Sequence, residues 1–205
     1  MSSTNRGNSR DFHVADYYKT PVSSILDFIM EFNADFGVTD LCFTNGDKLI
    51  LDPCAGGNVE TKEGMSYPEA LLKYEYVKPE HITTVDIRED SEAQIKTDYL
   101  NLFDKQFENK YDVIITNPPF ATAREIIDKA LHDVKENGLV IMLLRLNFFG
   151  SQERQSWWQK QMPFACYVHS KRMKFYGTKN TDSIEYCHCV WEKNNYPRFC
   201  KIRII

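Results

Sequence analysis

Apolar positions along the chain recur with two periods, one helical and one extended, and the order in which the periods alternate outlines a layered fold. Thr20-Pro21 precedes Val22, Ile25, Leu26, Ile29 and Phe32 at helical spacing, which predicts a leading helix with Thr20 as cap and Pro21 in the first turn. Lys48 to Leu51 is a short apolar run ending in Asp52-Pro53-Cys54-Ala55-Gly56-Gly57-Asn58, a strand followed by a small-residue turn. Ser66 to Tyr76 is helical in character, Ile82 to Val85 is a β-branched strand ending at Asp86, and Gln94 to Thr97 is a shorter strand ending at Asp98. Asp112 to Thr116 is a strand stopped by Asn117-Pro118-Pro119-Phe120. Thr122 and Glu125 have the spacing of a capping box, and Ile126, Ile127, Ala130, Leu131 and Val134 continue a helix that Gly138 is predicted to end. Leu139 to Leu144 is a continuous apolar strand.

The resulting order is strand, helix, strand, strand, strand, helix, strand. It predicts an α/β fold with a doubly wound, mainly parallel sheet covered by helices on both faces. A further helix is predicted from Ser151 to Gln161, and then Cys166 to His169 and Ile184 to Trp191 as an antiparallel pair closing the sheet edge.

Composition narrows this only slightly. The chain has 205 residues, of which 42% are hydrophobic and 26% charged, and no apolar run approaches the roughly 20 residues of a spanning helix. Residues 1–13 are predicted as a disordered lead-in and 14–205 as one cytoplasmic domain that contacts no membrane and carries no separate target-recognition unit. The net charge of -4 argues against coating nucleic acid through an overall positive field. From Lys171 to Ile205, however, eight Lys and Arg stand against three acids, so a basic C-terminal face, with Lys171, Arg172 and Lys174 at its start, is predicted on an acidic body. Cys187-His188-Cys189 suggests zinc, but it lies in a predicted strand and no second ligand pair follows at metal-site spacing. Free thiols and no metal are therefore expected.

In an open α/β sheet, ligands bind beyond the carboxyl ends of the strands. Asp52 is followed by Ala55-Gly56-Gly57, which lets a ligand approach the backbone; Asp86 ends the next strand, where a carboxylate can accept from two ribose hydroxyls; Asp98 ends the third. Asn-Pro-Pro-Phe after the fourth is the most specific signal. Two prolines remove two donors and fix the backbone between an amide and an aromatic ring, whereas a plain rigid turn needs neither Asn117 nor Phe120.

These motifs resemble those of class I S-adenosylmethionine-dependent adenine-N6 DNA methyltransferases, in the γ-like order of leading helix, cofactor half and catalytic loop. Asn117-Pro118-Pro119-Phe120 is similar to the catalytic motif of amine methyltransferases, Asp52 to Gly57 to their first cofactor loop, and Tyr17-Tyr18-Lys19-Thr20-Pro21 to their leading motif. The resemblance implies a Rossmann-like methyltransferase fold with S-adenosyl-L-methionine as cofactor. It implies that Tyr18, Thr20, Asp52, Pro53, Cys54, Ala55, Gly56, Asp86, Ile87, Asp98, Tyr99 and Asn117 line the cofactor site. Asn117, Pro118, Pro119 and Phe120 would be catalytic. Phe175 and Tyr176, in a late loop, would close on the target base with Phe120, and Lys171, Arg172 and Lys174 would contact nucleic acid.

DNA is the expected partner, with RNA adenine-N6 or guanine-N2 as the first rival, since Asn-Pro-Pro-Phe serves both. A protein glutamine is the second rival and a non-catalytic binding module the third. With no target-recognition unit expected, sequence choice would come from local loops, the basic tail or a protein partner.

Overall fold

The computed structural model describes residues 18–37, 46–73, 77–103, 105, 107–176 and 180–205. Tyr17, the predicted lead-in, Gly177 and the end of the helix expected to run to Tyr76 lie outside the described residues. The elements are α1 (Val22–Phe36), β1 (Ile50–Asp52), α2 (Ser66–Leu72), β2 (Ile82–Asp86), β3 (Ile95–Lys96), β4 (Tyr111–Thr116), α3 (Ala123–Asp133), β5 (Val134–Arg145), α4 (Gln155–Trp158), β6 (Ala165–Val168), β7 (Tyr186–Glu192) and β8 (Lys201–Ile204).

The eight strands form one sheet in the order β3-β2-β1-β4-β5-β7-β6-β8. Strands β3, β2, β1, β4 and β5 are mutually parallel, and β7 runs antiparallel to both β5 and β6. This is the expected α/β architecture with its antiparallel pair. Outside that pair lies β8, parallel to β6 and not foreseen in the sequence.

Period-2 alternation in buried strands splits the core in two. Ile114, Val140, Met142 and Leu144 point to one face, with Ile126, Ile127 and Ala130 of α3 and with Trp157 and Trp158. Val113, Ile115, Leu139 and Ile141 point to the other, with Ile25, Phe28, Ile29 and Phe32 of α1 and with Leu71 of α2. Each fully buried Ile, Leu or Phe contributes about 1.5–3 kcal/mol, so both helical layers are held by the sheet rather than by helix propensity. No helix among the described residues is long and apolar enough to cross a membrane.

Four local expectations change. Thr20 makes no cap bond to α1; Pro21 is the N-cap position, and Thr20 is buried with its hydroxyl turned elsewhere. Thr122 likewise makes no side-chain cap bond, because α3 continues directly from a turn in which the Thr122 amide donates to the Pro119 carbonyl at 3.1 Å. The helix predicted over 151–161 is reduced to a 3-10 turn and the four residues of α4.

The helix expected to reach Gly138 ends at Asp133, where Lys193 Nζ donates to the carbonyls of His132 and Val134 at 2.8 Å. A cation at exposed C-terminal carbonyls is a favourable stop. The chain then pairs Val134 with Tyr111, swings out, and resumes at Leu139 opposite Val113, with Asn137 at φ 60° in the excursion. Gly138 closes it: a Cβ there would lie 2.6 Å from Val134 Cγ2 and 2.9 Å from the Lys135 carbonyl. Gly138→Ala is therefore expected to destabilise the protein by about 1–3 kcal/mol, the scale of overpacking, read as a lower urea midpoint at constant slope. An unchanged midpoint would mean that the excursion opens without cost.

Candidate active site

The strand order reverses around β1, which has β2 on one side and β4 on the other, and the crevice at such a point is where open α/β sheets bind ligands. Asp52, Asp86 and Asn117 stand at the carboxyl ends of these three strands. Parallel register brings the ends together, so Thr116 Oγ1 donates to Asp52 Oδ1 at 2.6 Å.

Asp52 is fully buried. Its Oδ1 also accepts from the Cys54 amide at 3.2 Å, while Oδ2 has no partner. Burial raises its pKa to about 7, against the opposing effect of the Thr116 and Cys54 hydrogen bonds. Burial likewise pushes the Cys54 thiol up, with the Asp52 charge adding to the effect.

The loop after β1 is pinned by Asp86. Oδ2 accepts from the Gly56 amide at 2.8 Å, and Oδ1 accepts from the Arg88 amide at 2.9 Å and from Arg88 Nε at 3.3 Å. Arg88 Nη2 donates to the Gly57 carbonyl at 2.6 Å, and Ser91 Oγ to the Gly56 carbonyl at 2.5 Å. Gly56 and Gly57 adopt φ of 72° and 74°, a region open to glycine at little cost. Ile87, next to Asp86, is exposed.

Asn117 is held from the leading segment. Its Nδ2 donates to Thr20 Oγ1 at 3.1 Å and to the Tyr18 carbonyl at 3.3 Å, and its buried Oδ1 has no partner. Both amide hydrogens are thereby used, which turns the unpartnered oxygen into an acceptor without a donor. Leaving such an atom unpaired costs about 1–3 kcal/mol, so its orientation is imposed by the Thr20 and Tyr18 contacts.

Phe120 packs in a small cluster with Leu143, Met173, Phe175, Tyr186 and Tyr18. The Arg145 guanidinium lies 4.1 Å from its ring centroid, and Arg145 Nε donates to Tyr186 Oη at 3.3 Å. Phe175 is buried against Tyr18 and Tyr186, whereas Tyr176 is exposed beneath Lys19 Nζ. The Tyr176 amide donates to the Lys19 carbonyl at 3.1 Å, so the late loop is tied to the segment that holds Asn117. Lys171, Arg172 and Lys174 line a cavity of about 670 Å³ with Ser23, Asp27 and His169.

Asp98 accepts from the Leu100 amide at 2.9 Å and from Asn101 Nδ2 at 3.0 Å, capping a short turn. Tyr99 is buried, its hydroxyl donating to Asp133 Oδ2 at 2.9 Å. Residues of the site that sequence reasoning missed are Thr116, Arg88 and Arg145, each one residue past a quoted motif or at a strand end. A buried chain was also missed: Tyr67 Oη lies 3.0 Å from His188 Nε2, and His188 Nδ1 lies 2.8 Å from His169 Nε2. Burial lowers the pKa of His169 to about 4 and also lowers that of His188, with the neighbouring His169 adding to the effect, keeping both imidazoles neutral.

The fold has counterparts among solved structures. A candidate RNA methyltransferase from Pyrococcus horikoshii superposes with a TM-score of 0.58 at 17% identity, covering 93% of each chain. A candidate class I S-adenosylmethionine-dependent methyltransferase from Listeria monocytogenes gives 0.54 at 14% identity over 91% of this chain and 65% of that one. The modification subunit of a candidate type I restriction enzyme from Vibrio vulnificus gives 0.57 at 12% identity over 88% of this chain and 45% of that one. The chain thus spans less than two thirds of the length of the latter two. No family model and no curated protein matches it in sequence. The fold is the Rossmann-like fold of class I S-adenosylmethionine-dependent methyltransferases.

Proposed function

We propose that the protein is a methyltransferase that uses S-adenosyl-L-methionine to methylate the exocyclic N6 amine of adenine in DNA. The observation that carries this reading is the Asn117 side chain, whose hydrogens are spent on Thr20 and Tyr18 and whose Oδ1 has no donor. An NH2 group on a planar ring supplies the missing donor.

The crevice fits the cofactor. Asp52 Oδ2, buried and unpartnered, suits an ammonium group. Asp86, with Oδ2 accepting one hydrogen bond of the two an oxygen can take, suits a ribose hydroxyl, and exposed Ile87 suits an apolar ring face. Tyr18, Thr20, Pro53, Cys54, Ala55, Gly56, Asp98 and Tyr99 complete the proposed cofactor set. The cofactor supplies an electrophilic methyl group on a sulfonium centre and needs neither a metal nor a covalent enzyme intermediate.

What remains for this chain is orientation. The lone pair of an aromatic amine is delocalised into its ring. Asn117 Oδ1 and the Pro118 carbonyl accept the two N–H bonds, turn the lone pair out of the ring plane, and stabilise positive charge as it develops. Pro119 keeps Asn117 and Phe120 at a fixed separation. Phe120 stacks on the base, and the Arg145 guanidinium now over its ring is exchanged for that base. In duplex DNA the base is first flipped out at a cost of a few kcal/mol, which stacking offsets in part.

The basic residues Lys171, Arg172 and Lys174, next to the late loop that carries Tyr176, contact phosphates. Replacing all three by Ala should weaken DNA binding and flatten its dependence on salt, since each neutralised phosphate adds to the slope. Identical binding by parent and variant at every salt concentration would remove this face from the interface. Arg172 is expected to matter least, because it already faces Glu185 at 3.5 Å.

The decisive experiment incubates the protein with labelled S-adenosylmethionine and separate DNA, RNA and protein pools, followed by nucleoside and amino-acid analysis. Label in N6-methyladenine from DNA is the expected result. Label in RNA would transfer the same site chemistry to the acceptor class named for the Pyrococcus neighbour. Cofactor binding without transfer to any pool would favour a binding module, with a partner protein as the next addition to the assay.

A further inference from the structure

Strand β7 presents Cys187 and Cys189 on one face and His188 on the other, because successive side chains alternate across a strand. Register sets Cys166 of β6 directly opposite Cys189. The Cys187 and Cys189 sulfurs are 3.7 Å apart and those of Cys189 and Cys166 are 3.8 Å apart, and all three lie within 4.8 Å of one another, fully buried. Cys200 immediately precedes β8, the strand paired to β6 on its other side, and its thiol interacts with that of Cys166. Three thiols from two adjacent strands therefore gather at one place, with Cys200 beside Cys166 just before β8, far from the crevice at the end of β1 in the sheet order.

We propose that these cysteines form a structural zinc site, with Cys166, Cys187 and Cys189 as its buried ligands and Cys200 as the fourth. The spacing is that of the metal. Zn–S bonds of about 2.3 Å in a tetrahedron place sulfurs about 3.8 Å apart, the separation the two neighbouring pairs already show. The ion occupies the hole between sulfurs in contact, so no cavity has to open in the surrounding layer of Met142, Leu144 and Trp158.

Cys200 is half-buried and gives the ion a route from solvent. Thiolate, not thiol, is the ligand, so each coordinating cysteine releases its proton to solvent as the ion enters. The site would tie β7, β6 and β8 together at the end of the sheet where β8 presents an otherwise exposed strand.

The test uses the full chain purified under reducing conditions with zinc supplied, its metal content measured by elemental analysis and its cobalt form by absorption. One zinc per chain and the sulfur-to-cobalt charge-transfer bands of a tetrahedral thiolate site are expected. Cys189→Ser should lower zinc affinity by more than the about tenfold that even an outer-shell partner costs, and Cys200→Ser should change the cobalt spectrum. Should Cys189→Ser fail to fold, chelation of the parent decides, since removing zinc should lower its unfolding midpoint. No bound metal, all thiols freely titratable in the native protein, or a Cys166–Cys189 disulfide in the isolated chain would each overturn the site.

Discussion

Replacing Asn117 by Ala is expected to lower methyl transfer by about a hundredfold or more, the loss typical when one well-oriented partner of a developing charge is removed. The residue has two duties. Its Oδ1 is the proposed acceptor for the reacting amine, and its Nδ2 ties the start of β4's following loop to Thr20 and Tyr18. The alanine variant loses both, so Thr20→Val provides the comparison: it removes one hold on the amide and leaves the acceptor. Thr20→Val should cost less than Asn117→Ala in turnover. Measured single-turnover rates with saturating cofactor separate the two, and transfer by Asn117→Ala at the parent's rate would show that Asn-Pro-Pro-Phe is only a rigid turn.

The second large effect is on stability. Asp52 ionises with a pKa of about 7 in the folded chain against 3.8 ordinarily, chiefly because burial disfavours its charge. The folded state then binds more protons than the unfolded state between these values, so stability falls as pH rises through the window. The favourable contribution is complete below pH 3.8 and lost above about 7. A difference of about three pKa units corresponds to something on the order of 4 kcal/mol. Asp52→Asn, which keeps an acceptor for Thr116 and cannot ionise, should abolish this part of the slope. Urea denaturation of both proteins at successive pH values tests it, and parallel curves would exclude Asp52 as the source. An ammonium group seated at Oδ2 would stabilise the ionised form, so saturating cofactor should flatten the parent's slope as well.

Much of the fold was legible because its signals are local. The apolar stripe of α1, the β-branched runs of β2 and β4, and the continuous run of β5 each follow from a period and a boundary residue. The strand ends that form the candidate site were legible for a related reason. In a parallel sheet, strand ends that are far apart in sequence meet on one edge, so naming the polar residues at Asp52, Asp86 and Asn117 was enough to gather them. Boundaries fared less well where long-range partners compete with propensity. Val134 leaves the helix to pair with Tyr111, and Lys193, from the other end of the chain, caps the carbonyls left behind. Neither contact has a local sequence signal.

By itself, then, the sequence determined the layered α/β class, the order of its parallel strands' polar ends and the rigid Asn-Pro-Pro-Phe loop, because periodicity and turn chemistry are properties of short segments. Only the tertiary structure decided how side chains are used once those segments meet. Thr20, expected as a helix cap, is instead an acceptor for Asn117. Phe175, expected in a loop over the base, is buried beneath Tyr18 and Tyr186. Strand β8 exists because β6 offers a free edge to pair with. The cysteines of β7 found no ligand pair at metal spacing in the sequence, yet Cys166 reaches them from the neighbouring strand β6, since cross-strand register is set by burial of the whole sheet rather than by any stretch of chain.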